Sequence, residues 1–410
     1  MTDQPSKHLW PWWLLLSVLL LLLIAAESFA LHAIFTSRFP SGNDFFVRWL
    51  GGREYLLHGT NPFERSVAEK AQQTMFGRLT TPQDKDQAYF AYPLYTLYLF
   101  WPLSLLPYAW AQAIWMTLLQ FMLLGSTALA IRLARWRPPG WLFVLSLFWS
   151  LLFYNGARAV LLGQFSIVVG LFLMLALWAI EGRRDGRAGL CLALTTIKPQ
   201  MVILPLAFLL LWALARRRWR ILGSFALSLL VLIGSSMLLV PSWPLDFVRN
   251  AIAYSDYVAF GTPLENLLHY LLPGGVAAPL NIVLSAVFFL ALLPGWWRAL
   301  GQNSGQGGEY TWALQSTLIV GALVAFRSAT ANQIILYLPL FFFFRRLADR
   351  QALVVLIEAG LAVFMWGVFA ITLKGNWENV MMHGLLPALM LLLYAADWRA
   401  LTRTAREVES

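Results

Sequence analysis

The chain has 410 residues, of which 59% are hydrophobic and only 12% charged, with a formal net charge of +10. Soluble domains carry about 45–50% apolar and about 25% charged residues, so an ordinary soluble enzyme and a disordered chain are both excluded. Cys191 is the single cysteine, which excludes a disulfide scaffold.

Runs without Asp, Glu, Lys or Arg cover 8–26, 87–131, 138–157, 159–180, 221–245, 266–297, 310–326, 328–344 and 379–396. They are continuous, not alternating, and so predict membrane helices in place of a barrel. The first run is too long for a signal peptide and opens on Trp10, Trp12 and Trp13, an interfacial aromatic anchor; it reads as a retained first helix.

A polar stretch at 36–91 follows, the first outer loop. Residues 44–58 predict an amphipathic helix stopped by Gly59 and Asn61-Pro62, with a second helix at about 64–76. Phe45, Phe46, Trp49, Leu50, Leu56 and Leu57 suit a helix lying on the membrane surface. Asp44 at its start has two readings: a cap paired with Arg48 one turn on, or a carboxylate at the outer mouth acting as a general base.

As one helix, run 87–131 would be about 68 Å long, too much for one crossing. Its proline-rich half, with Pro93, Pro102 and Pro107, reads as interfacial or re-entrant, and 108–131 as a crossing. Asn155-Gly-Ala-Arg158 and Gly163-Gln164-Phe-Ser166 interrupt later apolar runs, where polar groups commonly line a cavity. Segment 188–215 breaks at Lys198-Pro199 into a predicted short hairpin with a lysine at its apex. The second outer loop, 241–275, carries Asn266, His269 and Tyr270 on one helical face.

The basic residues sit in knots between the apolar runs: Arg132, Arg135 and Arg137; Arg183, Arg184 and Arg187; Arg216, Arg217, Arg218 and Arg220; Arg345, Arg346 and Arg350; Arg399, Arg403 and Arg406. Short basic loops stay cytoplasmic. This spread argues for a membrane surface and against nucleic acid. It places both termini inside, gives about twelve crossings in one integral membrane domain over 1–410, and leaves the polar turns on the outer face.

Candidate chemistry collects there. Asp44 is the candidate base, and Lys198, joined by Arg158 and Arg327, supplies charge for a lipid phosphate. Tyr92, Gln164, Asn266, His269 and Asn332 complete the candidate set with Arg48. No glycine-rich phosphate loop is present, and the five histidines show no metal-ligand spacing. Asp84-Lys-Asp86 is an Asp-x-Asp triplet in a polar loop and does not make a metal site by itself.

In order along the chain, Asp44, His58-Gly-Thr-Asn-Pro-Phe63, Tyr92-Pro93, Pro102-Leu-Ser-Leu-Leu-Pro107, Gly163-Gln164-Phe-Ser166 and Ala188-Gly189 running to Lys198-Pro199 resemble glycosyltransferase family 87 of the GT-C superfamily. The resemblance covers 40–215 well, and the later half more loosely through Asn266. It implies an all-α GT-C fold, an outward-facing cavity and a polyprenyl-phosphate-mannose donor. It further implies inverting transfer to a glycan or glycolipid hydroxyl with Asp44 as base; the lipid-linked sugar is the expected co-substrate, and the residues give no support for a metal or other cofactor. Leu94 departs from the family's Tyr-Pro-Pro, and the late turn Ser328–Gln333 lacks the histidine many members carry. A flippase or transporter of lipid-linked sugars, or a GT-C enzyme using another lipid-linked sugar, are the rival readings.

Overall fold

The computed structural model describes residues 10–40, 42–84, 86–257, 261–272, 275–301, 308–374 and 378–396. The basic residues Arg399, Arg403 and Arg406 lie outside them. In chain order the helices are α1 (Trp10–Leu31), α2 (Asn43–His58), α3 (Arg65–Phe76), α4 (Tyr108–Leu133), α5 (Gly140–Leu152), α6 (Tyr154–Leu162), α7 (Ser166–Glu181), α8 (Asp185–Thr195), α9 (Pro199–Ala215), α10 (Trp219–Leu239), α11 (Trp243–Tyr257), α12 (Pro263–Leu271), α13 (Ala277–Gly301), α14 (Gly308–Val324), α15 (Tyr337–Arg345), α16 (Gln351–Thr372) and α17 (Met382–Ala396). Short 3-10 segments occupy Leu94–Leu99, Trp101–Leu105 and Thr330–Leu336, and the described residues hold no strand. The chain is an all-α membrane protein.

Among the described residues five helices are long and apolar enough to cross a membrane, or six if the bent pair α5 and α6, angled by 52°, counts as one span. The expected twelve crossings exceed what helix length supports. Runs that look continuous in sequence are broken in space. The 159–180 run is divided between α6 and α7, and 328–344 between a 3-10 segment and the nine residues of α15. α7, α9 and α17 are apolar but shorter than a full span.

Burial sorts the helices into a rind and a core. α1, α10, α13 and α16 expose long apolar faces, such as Leu19–Leu23, Leu227, Leu230, Leu238, Ile282, Leu290 and Val363, as suits lipid contact. α7 and α14 are buried nearly all round, and α4 packs against α7, α1, α5 and α15. α8 lies between α7 and α10, while α9 packs on α14. Arg218, beyond the end of α9, is ion-paired with Asp185 at the start of α8; the two ends of segment 185–218 therefore meet, with Lys198 at the far break.

The α8–α10 contact depends on Gly189. A methyl group there would meet the Ile221 carbonyl oxygen and the Phe225 amide nitrogen, both backbone atoms, so the helices approach as closely as small residues allow. Gly189→Leu is expected to lower stability by about 1–3 kcal/mol through overpacking, read as a lowered thermal unfolding midpoint of the purified protein.

The first loop folds differently from the surface helix expected of it. α2 turns Phe45, Phe46, Trp49 and Leu50 into the protein core and leaves Leu56 and Leu57 exposed. The reason is an aromatic cluster that the linear pattern does not reveal. Phe45 stacks on Trp115 at 5.2 Å, and Phe46 and Trp49 pack on Tyr108. Trp49 Nε1 also donates to the Leu103 carbonyl at 3.1 Å.

Candidate functional site

Three core helices begin at one place. The phenol of Tyr108, first residue of α4, donates to the Gly42 carbonyl at 3.0 Å. α7 begins at Ser166, two residues after Gln164, and α9 begins at Pro199 with Lys198 as its cap residue. All three run from this point to an arginine knot, so their amide-bearing N-terminal ends, with partial positive charge, face the same region.

Asp44 lies in the first turn of α2, where Gly42, not a side chain, occupies the cap position. Its carboxylate is thus released from capping. Gln164 Nε2 donates to Asp44 Oδ2 at 2.6 Å, and Lys198 Nζ donates to Gln164 Oε1 at 2.5 Å. One amide links acid and ammonium, and its orientation is fixed because each end has a partner of one polarity only. Arg48 Nη1 donates to the Asp44 carbonyl at 2.9 Å and lies 3.7 Å from Oδ1. The Arg48 guanidinium covers the Tyr92 ring at 4.2 Å, and Lys198 Nζ lies 5.9 Å from the same ring. Asp44, Arg48, Tyr92, Gln164 and Lys198 are therefore one constellation.

Its exposure is uneven. The Asp44 side chain is 33% exposed, so a substrate can reach it. Lys198 is 5% exposed. Burial pulls its ammonium down to about 8; Asp44 opposes that shift and Arg48 adds to it. The Arg48 Nε–H is buried with no hydrogen-bond partner, a donor left over in a site with two cations.

Trp115 sets the spacing. Its Nε1 donates to the Gly163 carbonyl at 3.0 Å while its ring stacks on Phe45, tying the residue before Gln164 to the residue after Asp44. Gly163 has φ +69°, and an added methyl would lie 2.5 Å from Phe45 Cβ. Gly163→Ala is expected to separate α2 from Gln164 and to reduce turnover by about 10²-fold, the scale of a misplacement near 1 Å, with the fold retained by thermal unfolding.

The remaining predicted residues lie apart from this constellation. Asn266 is buried with both polar atoms engaged: Gly261 N donates to Oδ1 at 3.0 Å, and Nδ2 lies 3.2 Å from His383 Nδ1. That arrangement puts the ring proton on Nε2, which meets Glu378 Oε1 at 3.0 Å. Tyr154 and Thr330 donate to Glu378 Oε2, both at 2.7 Å. Asn155 Nδ2 donates to Gln333 Oε1 at 2.9 Å, and Gln333 Nε2 to the His383 carbonyl. Asn332 donates to Ser328 Oγ at 3.1 Å, and its Oδ1 is buried without a partner. Arg158 reaches the Phe369 ring at 5.9 Å and Arg327 the Phe326 ring at 4.9 Å. His269 is half exposed beside Glu265 at 3.7 Å, and Tyr270 is exposed. The shared face expected for Asn266, His269 and Tyr270 is thus split between core and surface.

Glu378, His383 and Tyr154 had no signal in the sequence, being single polar residues in unrelated segments. Burial alone would raise the Glu378 carboxyl, but donors from His383, Tyr154 and Thr330 hold it down to about 2. A folded value below the unfolded one stabilises above about pH 4.5 and loses that effect as pH falls toward 2. Glu378→Gln is expected to cost about 3 kcal/mol at pH 7. The gap to the parent protein should narrow as pH falls below 4.5 in thermal unfolding scans.

Asp84 is paired with Arg78 at 2.6 Å, so the Asp-x-Asp triplet is divided. Asp86 accepts from the Ala88 amide at 2.9 Å, beside a residue with φ +50°. Burial pushes its carboxyl up, and the charge of Asp44 adds to that. Elsewhere in the polar loops Glu54 is bound to Lys70 at 2.6 Å, Glu265 pairs with His269, and the Asp256 side chain lies outside the described residues.

No curated protein and no solved structure matches the chain. Residues 90–266 match glycosyltransferase family 87, a stretch that contains Tyr92, Gln164 and Lys198 and begins after Asp44. Over that stretch the chain is glycosyltransferase-family-87-like, and its described residues include helices long and apolar enough to span a membrane; together these support a membrane glycosyltransferase.

Proposed function

We propose that the chain transfers a sugar, mannose, from a polyprenyl-phosphate-linked donor to a hydroxyl of a glycan or glycolipid acceptor, with inversion and with Asp44 as base. The observation that carries this reading is the Asp44–Gln164–Lys198 chain at the shared N-terminal ends of α7 and α9. A carboxylate able to take a proton and a cation able to hold a leaving phosphate stand one amide apart.

In this reading the phosphate rests against Lys198, the spare Arg48 donor and the positive helix ends. The acceptor hydroxyl lies against Asp44 Oδ1, the oxygen that Gln164 does not occupy. As the hydroxyl oxygen bonds to the anomeric carbon, its proton passes to Asp44. The carbon–oxygen bond to phosphate breaks on the opposite face, and the electron pair leaves with the phosphate. Lys198 stabilises the charge that gathers there. Gln164 binds neither reactant; it keeps the carboxylate and the ammonium apart and aimed. The lipid-linked sugar is the co-substrate, the site faces the outer side of a cell membrane, and the arginine knots face the cytoplasm.

The test is transfer by the purified protein from a panel of polyprenyl-phosphate sugars, with the product anomer assigned by NMR. Transfer from the mannosyl donor with an inverted anomeric centre is expected. Retention of configuration, or transport of donor across vesicles without transfer, overturns the proposal.

A further inference from the structure

α11 has the two-sided pattern of a surface helix. Trp243, Asp246, Phe247 and Asn250 fall on one side of it, at i, i+3, i+4 and i+7. The protein holds that side. Trp243 meets the Tyr95 ring edge-on at 5.7 Å, Asn61 Nδ2 donates to Asp246 Oδ2 at 3.0 Å, and Asn250 Nδ2 donates to the Phe90 carbonyl at 3.1 Å. Leu245, Val248, Arg249 and Ile252 repeat the same spacing two residues on, and so lie on the opposite side. There the apolar side chains stay out of the core: Leu245 is 55% exposed, Val248 49% and Ile252 61%.

The neighbouring helix sets the depth of that face. α10 starts at Trp219, next to the Arg218 that meets Asp185. Its 21 residues reach about 32 Å back toward the Asp44 end. It is long and apolar enough to cross a membrane, and its last two residues, Leu238 and Leu239, are exposed. Only Val240, Pro241 and Ser242 separate it from α11, so the Leu245–Ile252 stripe continues an apolar surface that suits lipid. Tyr98 marks the same level. Its ring is exposed and its phenol donates to Ser235 Oγ at 3.0 Å, one turn before the end of α10. An apolar ring with a polar tip is the residue type of bilayer interfaces. Arg249, beside the stripe, is mostly exposed and lies 3.6 Å from Asp246 Oδ1; its long stem lets the guanidinium reach headgroup phosphates. An apolar stripe flanked by a cation, directly past the end of a span, is what an interfacial helix presents.

We propose that α11 is seated in the bilayer interface at the Asp44 end. Leu245, Val248 and Ile252 lie in the boundary between phospholipid headgroups and acyl chains, and Arg249 lies against the phosphates. Lipid is the favoured occupant because the stripe is continuous with the exposed apolar end of α10. The buried face of α11 carries the consequence for the site. Tyr95, under Trp243, has its phenol 2.9 Å from Thr196 Oγ1, two residues before Lys198. α11 thus stands between the bilayer and the break that holds Lys198, and it sets the height of that lysine relative to the headgroups.

The test is fluorescence quenching of the full-length protein in phosphatidylcholine liposomes, with Cys191→Ser as background and a bimane label on Ile252→Cys. Lipid brominated near the headgroup end of its acyl chains should lower the emission at 252 by about threefold, because an interfacial helix sinks its apolar face to that depth. A label on Arg65→Cys, at a charged and well exposed position of α3, should be nearly unchanged. Val248→Cys, about one turn away on the same stripe, should behave as Ile252→Cys does, and serves if that variant fails to fold. Absence of quenching at both 248 and 252, or equal quenching at 65 and 252, overturns the proposal. Loss of quenching at 252 as the protein-to-lipid ratio rises assigns the face to a second copy of the chain and also overturns it.

Discussion

Asp44→Asn is expected to leave donor binding within a few-fold of the parent protein and to lower the single-turnover transfer rate by about 10²–10⁴-fold, or roughly 3–5 kcal/mol in barrier. Asparagine keeps an oxygen that accepts from Gln164 and so leaves Gln164 and Lys198 in register. What it cannot do is take the acceptor's proton. An interaction formed only as the proton moves shows in turnover, whereas one already formed in the ground state shows in binding. Asp44→Ala is a poorer test, because it also frees the Gln164 amide and disturbs Lys198. Donor affinity and single-turnover rate measured on the same Asp44→Asn preparation decide the matter. Loss of donor binding with the fold intact would make Asp44 a binding residue, and undiminished turnover would move the base elsewhere, with Asp86 the first acid to examine.

Lys198→Met is expected to weaken donor binding by about 10²-fold, the loss of a charge-assisted contact in a buried site. Lys198→Arg should restore much of it. The two cations also part in their pH dependence. The Lys198 ammonium is drawn down to about 8 by burial, and the phosphate prefers its protonated form. Donor affinity of the parent protein should thus be nearly constant near pH 7. Above pH 8 it should fall by about tenfold per pH unit, since each unit removes a further tenfold of the charged form. The guanidinium of Lys198→Arg stays charged over that range, so its affinity should be flat between pH 7 and 9. Isothermal titration with a lipid-phosphate sugar across that interval measures both. A parallel fall in the two proteins would show that Lys198 does not carry the effect.

The buried glutamate network explains why segment 241–275 reads poorly in the sequence. Asn266 has the residue type of a substrate contact, yet its amide is held between Gly261 and His383. The late turn lacks a histidine of its own, but His383 enters from α17 to sit against it, through the bond from Gln333. Sequence distance hides that arrangement, because the two residues are fifty positions apart.

By itself the sequence determined the all-helical membrane class, the proline break before α9 and the two helices of the first loop, because these depend on local chemistry: apolar runs, missing amides and helix-stopping turns. It also singled out Asp44, Gln164 and Lys198 one by one. Only the tertiary structure decided that they touch. Gln164 lies 120 positions from Asp44 and 34 from Lys198, and no periodicity links such residues; Trp115 and a glycine too small to push Phe45 away do so. The tertiary structure likewise turned the α2 aromatics inward, cut the number of full-length spans and recruited Glu378 and His383. Each of these depends on which surfaces meet, and a one-dimensional pattern of apolar residues cannot tell a face buried in protein from one buried in lipid.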